Sequence, residues 1–263
     1  SDISPILISA VVSANIGILL WWLTKNSNKN LTKRDGYIIV TLGWIILGIS
    51  GAMPFLLSGA ISSIPSAIFE TISGYTTTGA SILTDVEQLT PGLMLWRSMT
   101  QWIGGMGIIV LTVAILPILG MGGMELFTAE SPGPNSGKIH AKITDTAKRL
   151  WLIYVMLTGI ECVLLKYAGM NWIDALNHSF TTISTGGFST KNLSISAFDS
   201  PLIEYIITFF MMIGGINFTI IYFLLKFSFK KAYENNEFRV YLGIIIIFSM
   251  LISVLLYFDS IHE

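Results

Sequence analysis

A chain of 263 residues with a formal charge of −1 and only 12% charged side chains falls well short of the roughly 25% usual in soluble domains. With 52% hydrophobic residues and a mean hydropathy of +0.70, it reads as a membrane protein, which excludes a basic nucleic-acid binder and a disordered acidic tail. The single cysteine, Cys162, cannot close an internal disulfide, and no Cys/His cluster has metal-ligand spacing.

Crossing a bilayer takes about 20 apolar residues in a helix. The first such stretch is Ile3–Thr24; it lacks a basic leading region, so it is read as a spanning helix and not a signal sequence. Gly36–Leu57, Leu93–Leu119, Leu150–Ala168 and Leu202–Leu225 follow, and Val240–Phe258 runs into the terminus. The chain opens Ser1-Asp2 without a Met and stops just after the last stretch, so it is expected to be cut at both ends.

Positive charge stays on the cytoplasmic side of short loops. Lys25, Lys29, Lys33 and Arg34 follow the first stretch; Lys138, Lys142, Lys148 and Arg149 precede Leu150; and Lys226, Lys230, Lys231 and Arg239 precede Val240. These are 12 of the 15 cations. All three loops share one side only if the segments between Leu57 and Leu93, and between Ala168 and Leu202, dip into the membrane and return.

The two dips align without gaps at an offset of 108, Ala67–Ser81 on Ala175–Ser189, with Thr77 on Thr185, Gly79 on Gly187 and Ser81 on Ser189. Four identities in fifteen gain weight because the order of span, short helix, Thr/Gly loop and span also recurs. Pro65 suits a first helical turn and Asn171 an N-cap. Each short helix is expected to run about ten residues, about 15 Å, enough to reach mid-bilayer but not to cross it. Irregular backbone follows, and in lipid its polar groups would go unpaired, so it must pack in protein or face water.

A cation entering a narrow passage must exchange its hydration shell for other oxygens, which backbone carbonyls supply without a fixed trapping charge. Glycine lets successive carbonyls turn inward, threonine hydroxyls add further oxygens, and the C-terminal end of a half-length helix contributes partial negative charge. The candidate ligands are therefore Thr76, Thr77, Thr78 and Gly79 in the first loop and Ser184, Thr185, Gly186 and Gly187 in the second. Turns and close helix contacts also favour Thr and Gly; the matched pair of loops favours the ion path. Gly104-Gly105-Met106-Gly107 and Gly214-Gly215, inside long stretches, are read as packing surfaces.

Further motifs are Ser73–Ala80, Gln101–Val110, Ala114–Gly120, Ala129–Pro134, Thr146–Lys148, Leu152–Val155, His178–Phe180 and Gly186–Thr190. On these the chain resembles the membrane subunit of the Trk/Ktr/HKT superfamily of cation transporters, in its bacterial potassium-uptake branch. The resemblance implies an all-α membrane protein of consecutive helix–pore loop–helix repeats of the potassium-channel type, four around one ion path. It also implies potassium as substrate with no bound cofactor, an inner-membrane location, a homodimer in the lipid bilayer, and a cytoplasmic ring of TrkA-like nucleotide-binding regulatory subunits. Mapped onto this chain, residues 1–35 hold a leading helix and cytoplasmic linker, 36–120 the first repeat, 121–149 a cytoplasmic loop, 150–225 the second repeat, and 226–263 a linker and the opening helix of an incomplete third. Third and fourth filter strands are absent, so the chain is expected to be a fragment that does not conduct alone.

Ionisable groups at membrane depth are functional candidates. Glu70, Asp85, Glu87, Asp174, Asp199 and Glu204 could line an outer mouth and concentrate cations, or be solvated loop acids. Glu161 is expected to snorkel or to pair with Lys166 or Arg97, and His178, opening its short helix, to anchor hydrogen bonds. An intramembrane enzyme would need a nucleophile–base set or metal pair at depth, and His140, His178 and His262 form none. A non-conducting assembly subunit and a sodium/potassium-permeable member of the same superfamily stay open, as does channel-like passage against proton- or sodium-coupled symport.

Overall fold

The computed structural model describes residues 3–26, 33–110 and 136–262, and these are helical without any strand. The elements are α1 (Ile3–Thr24), α2 (Lys33–Ser58), α3 (Ile64–Tyr75), α4 (Pro91–Val110), α5 (Ser136–Tyr167), α6 (Trp172–Ile183), α7 (Pro201–Gly214), α8 (Phe218–Leu225), α9 (Phe229–Glu234) and α10 (Asn236–His262). Short 3-10 turns at Val86–Gln88 and Ser194–Phe198 lie in the loops after α3 and α6. Residues 1–211 form one compact unit and 212–263 another.

Four helices among the described residues are long and apolar enough to cross a membrane: Ile3–Thr24, Arg34–Ser58, Ala147–Tyr167 and Asn236–Phe258. The side chains of α1 and of the span in α10 are almost wholly exposed and apolar, as lipid-facing helices must be. The expected span from Leu93 is helical through Val110, and its remainder lies outside the described residues.

The stretch Leu202–Leu225 is not one helix. Gly214 ends α7, and α8 restarts at Phe218, where the Asn217 side chain accepts the Thr219 N–H as a cap. Within the second unit the Tyr241 hydroxyl donates to the Met212 carbonyl at 2.9 Å, meeting an acceptor that a continuous helix would have used. Gly215 lies against the Tyr241 ring, so it packs as expected, but at a break and not inside a span.

The two short helices begin as their caps dictate. Pro65 sits in the first turn of α3; the Asn171 side chain accepts the Asp174 N–H at 2.8 Å to cap α6. Both run 12 residues, about 18 Å at the helical rise. Ala67 and Ala175, equivalent at the offset of 108, are each fully buried. Ala67 packs with Ala52, Phe55, Ile61, Leu89 and Leu93, and Ala175 with Cys162, Leu165, Met170, Ile203 and Ile207.

In the first unit α3 packs between α2 and α4, α6 packs on α5, and α4 also packs on α6, so α4 joins the two short helices. Lipid offers no hydrophobic drive for that contact, which must rest on close packing and hydrogen bonds. Trp102 Nε1 donates to Thr158 Oγ1 at 3.1 Å, Tyr154 donates to the Trp102 carbonyl at 2.9 Å, and the Trp102 ring stacks beside Tyr154 and Phe180. Gly104 lies so close to the Tyr75 carbonyl that a Cβ there would strike it, and Gly105 lies against Tyr154 and Ser184. These glycines are packing surfaces, as the sequence suggests.

Candidate functional site

Both short helices end in the same backbone motif. After α3 the N–H of Thr77 bonds the Gly74 carbonyl at 2.9 Å, and that of Thr78 reaches back to Ser73 at 2.9 Å. After α6 the N–H of Thr185 bonds Thr182 at 2.9 Å, and that of Gly186 reaches back to Thr181 at 2.8 Å. All four donors and acceptors are equivalent at the offset of 108. This paired closure is a Schellman cap, whose pivotal residue is left-handed and usually glycine. Here the pivots are threonines, Thr77 at φ 53° and Thr185 at φ 56°, followed two residues on by Gly79 and Gly187, each at φ 77°. A side chain in the left-handed region costs about 1–2 kcal/mol, and a β-branched one is an outlier of the kind that clusters at functional sites. The strain occurs twice, at equivalent positions.

The hydroxyls divide into two groups. Thr76 Oγ1 donates to the Ile72 carbonyl at 2.8 Å and Ser184 Oγ to the Phe180 carbonyl at 2.8 Å, again equivalent bonds. With its proton so used, Thr76 must accept from Thr78 across 2.8 Å. Thr76 and Ser184 thus finish their helices, whereas the hydroxyls of the left-handed Thr77 and Thr185 make no hydrogen bond among the described residues. The loops meet at Gly79, whose Cα faces the Gly186 carbonyl so closely that a Cβ would collide with it. Of the eight candidates, Ser184 and Gly186 are buried, and Thr76, Thr78, Thr185 and Gly187 are exposed.

A polar frame lies behind the loops. Gln101 is fully buried; its Nε2 donates to the Gly186 carbonyl at 2.8 Å and its Oε1 accepts the Phe188 N–H at 3.1 Å. One turn earlier on α4, Arg97 Nε donates to Glu70 Oε1 at 2.7 Å and its guanidinium donates to the Ser189 carbonyl at 3.2 Å, lying 3.5 Å above the Phe188 ring. Glu70 in turn accepts from Ser81 Oγ at 2.9 Å and from the Ile82 N–H at 2.9 Å. In the second repeat Asp174 accepts from Thr190 Oγ1 at 2.7 Å, and His178 Nε2 lies 3.4 Å from the same hydroxyl. Each short helix therefore ties down the strand returning from its own loop.

This frame corrects several expectations. Glu70 is buried and committed to Arg97, so it does not line an outer mouth; Asp174, bonded to Thr190, edges a surface cavity that Glu87 shares, and Glu87, Asp199 and Glu204 are exposed. Asp85 accepts from the Asn192 side chain at 2.8 Å, joining the loops that follow α3 and α6, and that bond with the one from Gln88 holds its carboxyl below the usual range. Glu161 pairs with neither proposed partner: Arg97 is taken by Glu70, and Lys166 lies over the Trp172 ring. Its carboxyl group is fully buried beside the Thr182 hydroxyl, with no cation paired to it among the described residues. His178 lies in the middle of α6 and serves as a buried anchor. Gln101 was visible only within a motif and Arg97 only as a stray cation; their i, i+4 spacing in an apolar segment was the available signal.

No group of three or more His, Cys, Asp or Glu among the described residues could hold a metal ion. The oxygens on offer are backbone carbonyls and hydroxyls at the C-terminal ends of two half-length helices, whose partial negative charge suits a cation.

The chain is similar to known transporters along nearly its whole length. The chain is 45% identical over 255 residues to the Trk system potassium uptake protein TrkH of Salmonella typhimurium and to that of Escherichia coli K12, covering 96% of this chain and 53% of each relative. It is 38% identical to TrkG of Escherichia coli K12, covering 92% and 51%. The crystal structure of the potassium transporter TrkH from Vibrio parahaemolyticus superposes with a TM-score of 0.80 at 38% identity, over 94% of this chain and 50% of that one. The chain thus spans about half the length of the curated relatives it matches. Residues 3–258 match the TrkH family, described as cation transport proteins. With paired Thr/Gly loops at the ends of half-length helices and that match along nearly its whole length, the chain belongs to the TrkH family of cation transport proteins.

Proposed function

We propose that this chain contributes two of the filter strands in a potassium-uptake pore of a Trk-type system in the bacterial inner membrane. Residues 76–79 and 184–187 are those strands. The observation that carries the reading is the duplicated cap, with strained threonines at 77 and 185 and left-handed glycines at 79 and 187. Left-handed residues two apart turn the peptide planes away from the alternation of a β-strand, a backbone that can present carbonyl oxygens to one side of the loop. Such oxygens replace the water lost by a potassium ion.

Two strands do not encircle a cation. The ion path closes with two more, in keeping with relatives about twice as long. Domain bounds near 36–120 and 150–225 follow from the repeat, with a third repeat opening in 226–263. Pairing of two membrane subunits, and docking of TrkA-like nucleotide-binding subunits on the basic loops, complete the proposed assembly. Potassium is the substrate, and no cofactor takes part.

Rubidium influx tests this in proteoliposomes holding the protein expressed from its own gene. The reading requires influx that potassium competes away and sodium does not. Influx blocked equally by sodium would favour a sodium/potassium-permeable member of the family; absence of flux would favour a non-conducting assembly subunit.

A further inference from the structure

The polar face of α4 belongs to the first repeat by sequence but acts on the second. Gln101 reaches 85 residues along the chain to the Gly186 carbonyl and 87 to the Phe188 N–H. Its side-chain amide therefore grips alternate residues of one strand, donor to one and acceptor to the other, as a neighbouring peptide would. Gly186-Gly187 is the segment with the least intrinsic conformational restraint in either loop, and it is the one so gripped. The Gly186 carbonyl is also where the first loop, through Gly79, meets the second.

Arg97 extends the grip. It binds the Ser189 carbonyl and covers the Phe188 ring, while its partner Glu70 holds Ser81 and the Ile82 N–H. Ser81 and Ser189 are equivalent positions, so one buried ion pair bridges the strands returning from both loops. The arrangement is not repeated. At the offset of 108, Arg97 and Gln101 correspond to Tyr205 and Phe209, which are 75% and 56% exposed.

We propose that Gln101 is a positioning residue for cation selectivity, fixing the orientation of the Gly186 peptide in the second filter strand, with the Arg97–Glu70 pair fixing the distance between the strands. This rests on the filter reading above. A filter of backbone carbonyls discriminates through the number and field of dipoles it presents. Loss of Gln101 frees the Gly186 peptide to rotate and removes a donor that tempers its carbonyl.

The test measures the ratio of potassium to sodium uptake in cells that depend on the gene for potassium, with protein abundance in the membrane determined in parallel. Gln101→Leu removes both bonds. Gln101→Glu keeps an acceptor for the Phe188 N–H but loses the donor to Gly186. Gln101→Leu is expected to lower the ratio about three- to tenfold, the range of one net hydrogen bond, and Gln101→Glu to lower it measurably. A merely structural role would lower abundance and uptake together and leave the ratio unchanged in both variants, which overturns the proposal. Gly187→Ala is run alongside, since it alters the strand backbone directly. If Gly187→Ala destroys the ratio and the Gln101 variants keep it, the present inference alone fails; if Gly187→Ala also keeps it, the filter reading fails.

Discussion

Replacing Arg97 by Met removes the cation while keeping a long unbranched side chain over Phe188. Glu70 then remains buried, bonded to Ser81 and the Ile82 N–H but without its counter-charge. Breaking a buried pair by removing one partner costs about 3–5 kcal/mol. At roughly 2–4 °C per kcal/mol for chains of this size, that is a fall of roughly 6–20 °C in apparent melting temperature. Glu70→Gln in the same background removes the stranded charge and keeps a carbonyl oxygen for the Ser81 and Ile82 donors. The double variant is therefore expected to melt above the Arg97→Met single variant. Thermal unfolding of the purified protein in one detergent, at one scan rate, gives the comparison. A fall below about 2 °C for Arg97→Met, or losses that simply add in the double variant, would refute the assignment of this pair as a buried brace between the loops.

Alanine at the two left-handed glycines should separate strain from collision. Gly187→Ala adds only the conformational term of about 1–2 kcal/mol, because nothing lies within 4 Å of the new Cβ, whereas Gly79→Ala also drives a methyl into the Gly186 carbonyl. Melting temperatures should fall in the order wild type, Gly187→Ala, Gly79→Ala, and a reversed order would contradict the contact between the loops. Glu161→Gln keeps the size and shape of a fully buried side chain that no cation pairs among the described residues, so the melting temperature should hold or rise and rubidium affinity should change little; a fall beyond about 3 °C, roughly 1 kcal/mol, would show an unseen partner. Asp85 has its pKa depressed by Asn192 and Gln88, so its contribution to holding the two loops together is present above the ordinary value of 3.8 and is lost as pH falls through the lower folded value. Limited proteolysis of those loops should accelerate in acid below that range in the wild type and lose this dependence in Asp85→Asn.

What was legible in the sequence was local. Pro65 and Asn171 announce the short helices because capping is decided within one turn. The threonine–glycine loops repeat because the same backbone geometry must be built twice. The break between α7 and α8 carried a local sign too, in Gly214-Gly215 followed by the cap Asn217, but uninterrupted apolarity over Leu202–Leu225 concealed it. The frame behind the loops was not legible. Gln101 and Arg97 meet partners 85 to 92 residues away, a pairing that neither periodicity nor charge counting reveals. Only the fold places Arg97 beside Glu70, and it commits both Arg97 and Lys166 away from Glu161.

The location of the ion decides the central claim. In crystals of the protein grown with thallium in place of potassium, anomalous density should appear beside the carbonyls of residues 76–79 and 184–187, and decrease as potassium is added back. Thallium bound elsewhere, at Glu161 or among the exposed acids of the outer loops, with none beside these carbonyls, would contradict it.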